Sequence, residues 1–102
     1  MNSKKKFIFR EYNSTHGIIM VITDIEIIGK KFEDEKLQLD FSKKFYQGEE
    51  KTEQEIIEKL KKGYIVNLNG TNSINIGLKL NIISKEKIIT VNQIPHAQAY
   101  LG

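Results

Sequence analysis

Few side chains in this sequence are of the types that do chemistry, and their spacing narrows the choice further. The two histidines, His16 and His96, stand eighty positions apart, and there is no cysteine. No histidine pair falls at helical ligand spacing, so a metal site has little to stand on. The missing thiols exclude disulfides, thiolate ligands and thiol nucleophiles together. No serine lies in a G-x-S-x-G elbow, and the seven glycines never form G-x-G. That excludes a dinucleotide fingerprint and a phosphate-binding P-loop. The carboxylate runs Glu33-Asp34-Glu35 and Glu49-Glu50 sit in polar surroundings and read as solvated loops and a helix start. No catalytic nucleophile, metal or cofactor is expected.

Three short segments carry more. Phe45-Tyr46-Gln47-Gly48 follows Lys43 and Lys44, and aromatics beside lysines can stack a base and hold its phosphate. The plainer reading, slightly favoured, makes Phe45 core and Tyr46 its half-buried neighbour. Asn67-Leu68-Asn69-Gly70 ends a strand ahead of a helix. Free backbone N–H groups there form an anion cradle, although an ordinary strand-to-helix turn explains the segment better. Pro95-His96-Ala97-Gln98 either binds a ligand through its polar groups or pins the C-terminal tail. If Asn67, His96 and Gln98 meet in one pocket, the imidazole becomes a general base or polar anchor for a small molecule. His16, in a turn, reads as exposed.

Sixteen basic against thirteen acidic side chains give +3 and a sequence pI near 9.1, weak evidence for a polyanionic partner. Fifteen of the sixteen cations are lysine, and isoleucine occurs seventeen times; genome composition explains such a joint excess as readily as a binding site does. Arg10 is the single arginine, which argues against base-specific readout through bidentate guanidinium contacts. Lys4, Lys5, Lys6 and Arg10 give +4 in the first ten residues, and residues 49–58 carry −4. Beyond Lys59 the balance is positive again. The candidate RNA contacts are Lys4, Lys5, Lys6, Arg10, Lys30, Lys31, Lys43, Lys44 and Tyr46.

The elements that must position these residues follow from pattern. Residues 6–12 put Phe7 and Phe9 on one strand face, and Asn13-Ser14-Thr15-His16-Gly17 closes a hairpin. The apolar run 18–22 suits a strand covered on both faces. Asp24 is placed to cap one helical turn over 25–28, ended by Gly29. Leu37, Leu39 and Phe41 alternate with polar residues as a half-exposed strand. Residues 42–48 hold a turn of helix stopped by Gly48. Thr52 and Glu55 form a capping box ahead of Ile56, Ile57 and Leu60, with Gly63 as stop. A strand over 64–68, a second helix over 71–80 ended by Asn81, and a strand over 88–91 follow. Pro95 is expected to break any continuation.

At 102 residues and 11.8 kDa the chain is a single domain, 1–102, long enough to bury a core. Strands and helices mix without a βαβ repeat, so the expected class is α+β, with two main helices on one face of a mainly antiparallel sheet. No apolar run approaches a membrane span, and the basic N-terminus lacks a signal peptide's apolar stretch. A cytoplasmic protein with no membrane partner is expected.

Asp24, Ile28-Gly29-Lys30-Lys31-Phe32, Phe45-Tyr46-Gln47-Gly48, Asn67-Leu68-Asn69-Gly70 and Pro95-His96-Ala97-Gln98 occur in this order. Together they resemble a family of small archaeal proteins catalogued as domain of unknown function 424. The matching residues are Gly29, Lys30, Phe45, Tyr46, Gly48, Asn67, Gly70, Pro95, His96 and Gln98. The sequence departs from the pattern in having Thr71-Asn72-Ser73 where an acidic residue is expected after Gly70, and in its longer, more basic N-terminus. The resemblance implies a compact α+β domain and an association with translation-machinery genes, and it brings no established enzymatic activity or cofactor to carry over. The expected function is therefore a non-catalytic RNA- or ribosome-associated protein. A protein partner for the same exposed aromatics is a further possibility, and a small-molecule site at Asn67, His96 and Gln98 is the alternative.

Overall fold

Strand alternation sorts the side chains before any helix packs. The computed structural model describes residues 5–102. β1 (Lys6–Ser14) and β2 (Gly17–Asp24) form an antiparallel hairpin in which Ser14 faces Gly17 across Thr15-His16. β3 (Lys31–Glu33) and β4 (Gln38–Asp40) make a separate small hairpin. β5 (Glu49–Thr52) runs into α1 (Glu53–Leu60), then come β6 (Ile65–Asn69), α2 (Thr71–Lys79), β7 (Ile89–Val91) and β8 (Ile94–Tyr100).

The main sheet has the order β5-β1-β2-β6-β8-β7. Its pairs are antiparallel except β2 with β6. That pair is parallel because the chain returns to β6 through a long crossover that includes α1, the only connection parallel neighbours permit. The fold is α+β, as the pattern predicts.

One sheet face carries Phe7, Phe9, Met20, Ile22, Val66, Leu68 and Ala97, which join Ile56 and Leu60 of α1 and Ile74 and Ile76 of α2 in one core. Both helices therefore cover this face. The register places two other rows on the opposite face: Arg10, Val21, Asn67 and Gln98, then Ile8, Thr23, Asn69, His96 and Ile89. Val21, Thr23 and Asn69 there are fully buried, so β2 is covered on both sides, as its apolar run implies. A 3-10 turn, Lys44–Tyr46, packs against β1 and β2.

Several local expectations hold. Thr52 and Glu55 form the reciprocal capping box of α1, Gly29 is left-handed at φ +85° and Asn81, at φ +58°, follows α2. Others are corrected. Residues 49–52 form strand β5 because Thr52 is the N-cap, which demands extended backbone ahead of the helix. The charged stretch after Lys30 contains β3, and the strand at 37–41 shortens to β4. Pro95 does not break the chain; it lies inside β8 opposite Thr90. Its carbonyl accepts the Gly70 N–H at 2.9 Å, while the Gly70 carbonyl is turned into α2 to accept from Ile74. No acceptor there awaits the N–H that proline lacks. Finally, Phe45 is not a core residue: it is exposed, whereas Phe41, four residues earlier, is fully buried.

Candidate functional site

The first candidate site is built around the Lys44–Tyr46 turn. Arg10 on β1 reaches across and donates from Nη1 to the carbonyls of Lys44 (3.2 Å) and Gln47 (3.3 Å), its guanidinium lying 4.7 Å from the Tyr12 ring centroid. The Tyr12 hydroxyl donates to the Phe45 carbonyl at 3.0 Å, and the two rings stack at 5.4 Å and 10°. Tyr46 stands edge-on to Phe45 at 5.0 Å and to Phe41 at 4.7 Å. Buried Phe41 thus anchors a run of rings through Tyr46 and Phe45 to Tyr12, in which Phe45 is 39% exposed. Burial, with the Asp40 charge as a lesser cause, pushes the Tyr46 phenol up, so it stays un-ionised near neutral pH.

Lysines surround this run. Lys30, Lys31, Lys43 and Lys44 are exposed and form no ion pair among the described residues. The Ser42 hydroxyl and N–H hold the Asp40 carboxyl below its ordinary value, with Lys43 and Lys31 adding to the effect. The N-terminal lysines are placed differently. Lys5 donates to the Asn72 side chain at 3.1 Å, Lys6 lies 3.8 Å from Glu50, and Lys4 lies outside the described residues. Arg10 is a structural brace for the turn.

At Asn67–Gly70 the ordinary strand-to-helix turn is what forms, and the N–H groups weighed as an anion cradle are already taken. The Asp24 carboxylate accepts from the N–H groups of Asn72 (2.9 Å) and Ser73 (2.8 Å) and from the Ser73 hydroxyl (2.7 Å). It caps α2 across the sheet, not the turn that follows it in sequence, and it supplies the negative charge that α2 lacks in its own first turn. Burial is the largest influence on this carboxyl and raises its pKa against those hydrogen bonds. Gly70, at φ +102°, is required because a Cβ there would run into the Asp24 carboxyl.

The third site joins residues from β2, β6 and β8. Asn69 donates through Nδ2 to Asn67 Oδ1 (2.8 Å), Thr23 Oγ1 (3.2 Å) and the Ile22 carbonyl (3.4 Å). Asn67 donates in turn to Gln98 at 3.3 Å. Asn69 Oδ1 meets His96 Nδ1 at 2.6 Å. The Ile22 carbonyl only accepts, which fixes the Asn69 amide with Nδ2 toward it and Oδ1 toward the histidine. His96 therefore carries its proton on Nδ1, and burial lowers its pKa from 6.5. Among the described residues Nε2 has no partner and is not sealed from solvent. Asn67, His96 and Gln98 are thus brought together. Thr23 carries no signal in the sequence, and Asn69 stands there only within its segment without a role of its own, although Asn67 and Asn69 at i, i+2 on a strand must share a face.

No cluster of metal-ligating side chains exists among the described residues, and no helix among them is long and apolar enough to cross a membrane. The family model described as "Protein of unknown function (DUF424)" matches residues 12–101. The chain belongs to the DUF424 family. No curated protein matches it. A crystal structure of an uncharacterized conserved protein from Methanopyrus kandleri resembles this DUF424 chain with a TM-score of 0.76, at 15% identity, over 94% of this chain and 91% of that one. At that identity the likeness is one of fold.

Proposed function

We propose that this DUF424 protein is a non-catalytic RNA- or ribosome-associated protein of the archaeal translation machinery. The observation that carries the reading is Phe45, 39% exposed and stacked on Tyr12, with Lys43 and Lys44 preceding it in the chain. A held, partly open ring beside unpaired cations is a platform on which a base can stack while its phosphate is met by lysine. Tyr46 supports the platform from its edge and, with Lys30 and Lys31 nearby, completes the contact surface. With one arginine, already engaged, recognition rests on stacking and charge rather than on base edges. The translation setting is supported by the resemblance set out above.

Fluorescence anisotropy with labelled single-stranded oligouridine tests this. Replacing Phe45 with alanine should cost about 1–3 kcal/mol of binding, and Lys43→Glu with Lys44→Glu should flatten the salt dependence. Unchanged affinity in both variants would refute the reading. In cell lysate the protein should co-migrate with a ribosomal particle at low salt.

A second reading is favoured by one observation, the 2.6 Å contact of His96 Nδ1 with Asn69 Oδ1 that leaves Nε2 without a partner among the described residues. That geometry suits a small molecule donating a hydrogen bond to a neutral imidazole, with Asn67 and Gln98 as neighbours. Line broadening confined to the His96 ring signals on addition of a small-molecule library would favour it.

A further inference from the structure

The two outer edges of the main sheet are finished differently. β5 ends the sheet on one side with Glu49, Glu50 and Lys51, charged residues that discourage another strand from pairing, and the part of β1 beyond its pairing with Lys6–Phe9 carries the charged Arg10 and Glu11. On the other side β7 covers only part of β8: its pairing stops at Ile89 opposite His96, whereas β8 runs on to Tyr100. The remaining stretch, Gln98-Ala99-Tyr100, carries no charge, no proline and no bulge.

The hydrogen-bond phase of β8 shows which of its groups are spoken for. Pro95 accepts from Gly70 and Leu101 donates to Tyr64, so odd-numbered residues point their backbone groups toward β6. In an antiparallel ladder the phase alternates. Gln98 and Tyr100 therefore aim their N–H and C=O groups away from β6, past the end of β7, and nothing among the described residues pairs with them. A groove of about 580 Å³ runs along this edge, lined by Asn81, Ile82, Ile83, Ser84, Lys87 and residues 98–100. Tyr100 at its end is 75% exposed.

We propose that this edge of β8 is a docking site for a short extended segment of a partner protein, which adds as a strand beside Gln98–Tyr100. Backbone pairing supplies the contact, as in strand addition generally. The chemistry of the segment follows from the lining: an apolar side chain to meet Ile82, Ile83 and Ala99, and a carboxylate to meet Lys87, the groove's one charged residue. A second copy of this chain fits less well. Its own edge, Gln98-Ala99-Tyr100, is uncharged and would bring no carboxylate to Lys87.

The probe is a fluorescein-labelled hexapeptide, Thr-Val-Asp-Val-Thr-Asp, titrated into the ¹⁵N-labelled full chain. Amide shifts should centre on Gln98 and Tyr100, and exchange of those two amides with solvent should slow. The same peptide N-methylated on alternate residues should bind at least about tenfold more weakly, since its pairing hydrogen bonds are gone. Lys87→Glu should weaken the unmodified peptide, while Tyr100→Pro removes an edge N–H and leaves the bonds to β6 intact. Absence of shifts at Gln98 and Tyr100 at millimolar peptide, or equal binding of the N-methylated form, would overturn the proposal. So would protection of both amides in a dimer, found by sedimentation equilibrium without peptide.

Discussion

Leu68 and Asn69 are neighbours on β6, yet they face opposite sides of the sheet and are held by different forces. Leu68 is fully buried in the core between the sheet and the helices, close enough to Gly77 that a Cβ there would collide with it. Asn69 is equally buried on the other face, but its amide meets Ile22, Thr23, Asn67 and His96. The helix-covered face is secured by apolar burial, which tolerates imprecision and rewards volume. The opposite face depends on a polar network in which each member must find its partner. The first kind of face makes a fold; the second makes a specific arrangement of functional groups.

The sharpest way to separate the two faces is to remove volume from one and polarity from the other. Leu68→Ala should cost about 2–5 kcal/mol of stability in chemical denaturation, because transfer energy is lost and a cavity remains. Asn69→Leu keeps volume but strands the His96 Nδ1–H and the Asn67 carbonyl. Its cost should be smaller, about 1–3 kcal/mol, and His96 should lose its single tautomer by ¹⁵N NMR. A network merely decorating an apolar core would leave the tautomer unchanged.

A pH series sharpens the contrast further. Burial depresses the folded pKa of His96 below its ordinary 6.5, so the unfolded chain takes up a proton first as pH falls. The contribution of His96 to stability is therefore present above pH 6.5 and lost as pH drops toward its folded pKa. His96→Gln can still donate to Asn69 and should flatten that part of the stability profile. An identical slope in both proteins would remove His96 from the account. The smallest effect belongs to neither face: Glu58→Gln breaks the exposed pair with Lys61, just past the end of α1, and should cost no more than about 0.5 kcal/mol.

What the sequence by itself determined was local. The Thr52–Glu55 capping box, the left-handed Gly29 and the bounds of α2 follow from interactions among residues a few positions apart, and the doubly covered β2 and the α+β class were legible in the pattern of apolar residues and the order of elements. The sequence offered Asn67, His96 and Gln98 only as an alternative site, conditional on the fold bringing their segments together. Where it failed, a distant partner had the deciding contact. Asp24 leaves its own turn to cap α2, some fifty residues on. Pro95 survives in a strand because Gly70 directs its carbonyl elsewhere. Phe45, expected in the core, is exposed and stacked on Tyr12. Only the tertiary structure decided that β6 pairs in parallel with β2 and antiparallel with β8, and that register alone gathers Thr23, Asn67, Asn69, His96 and Gln98. Strand partners are chosen by long-range burial and loop closure, energies that no window of sequence contains.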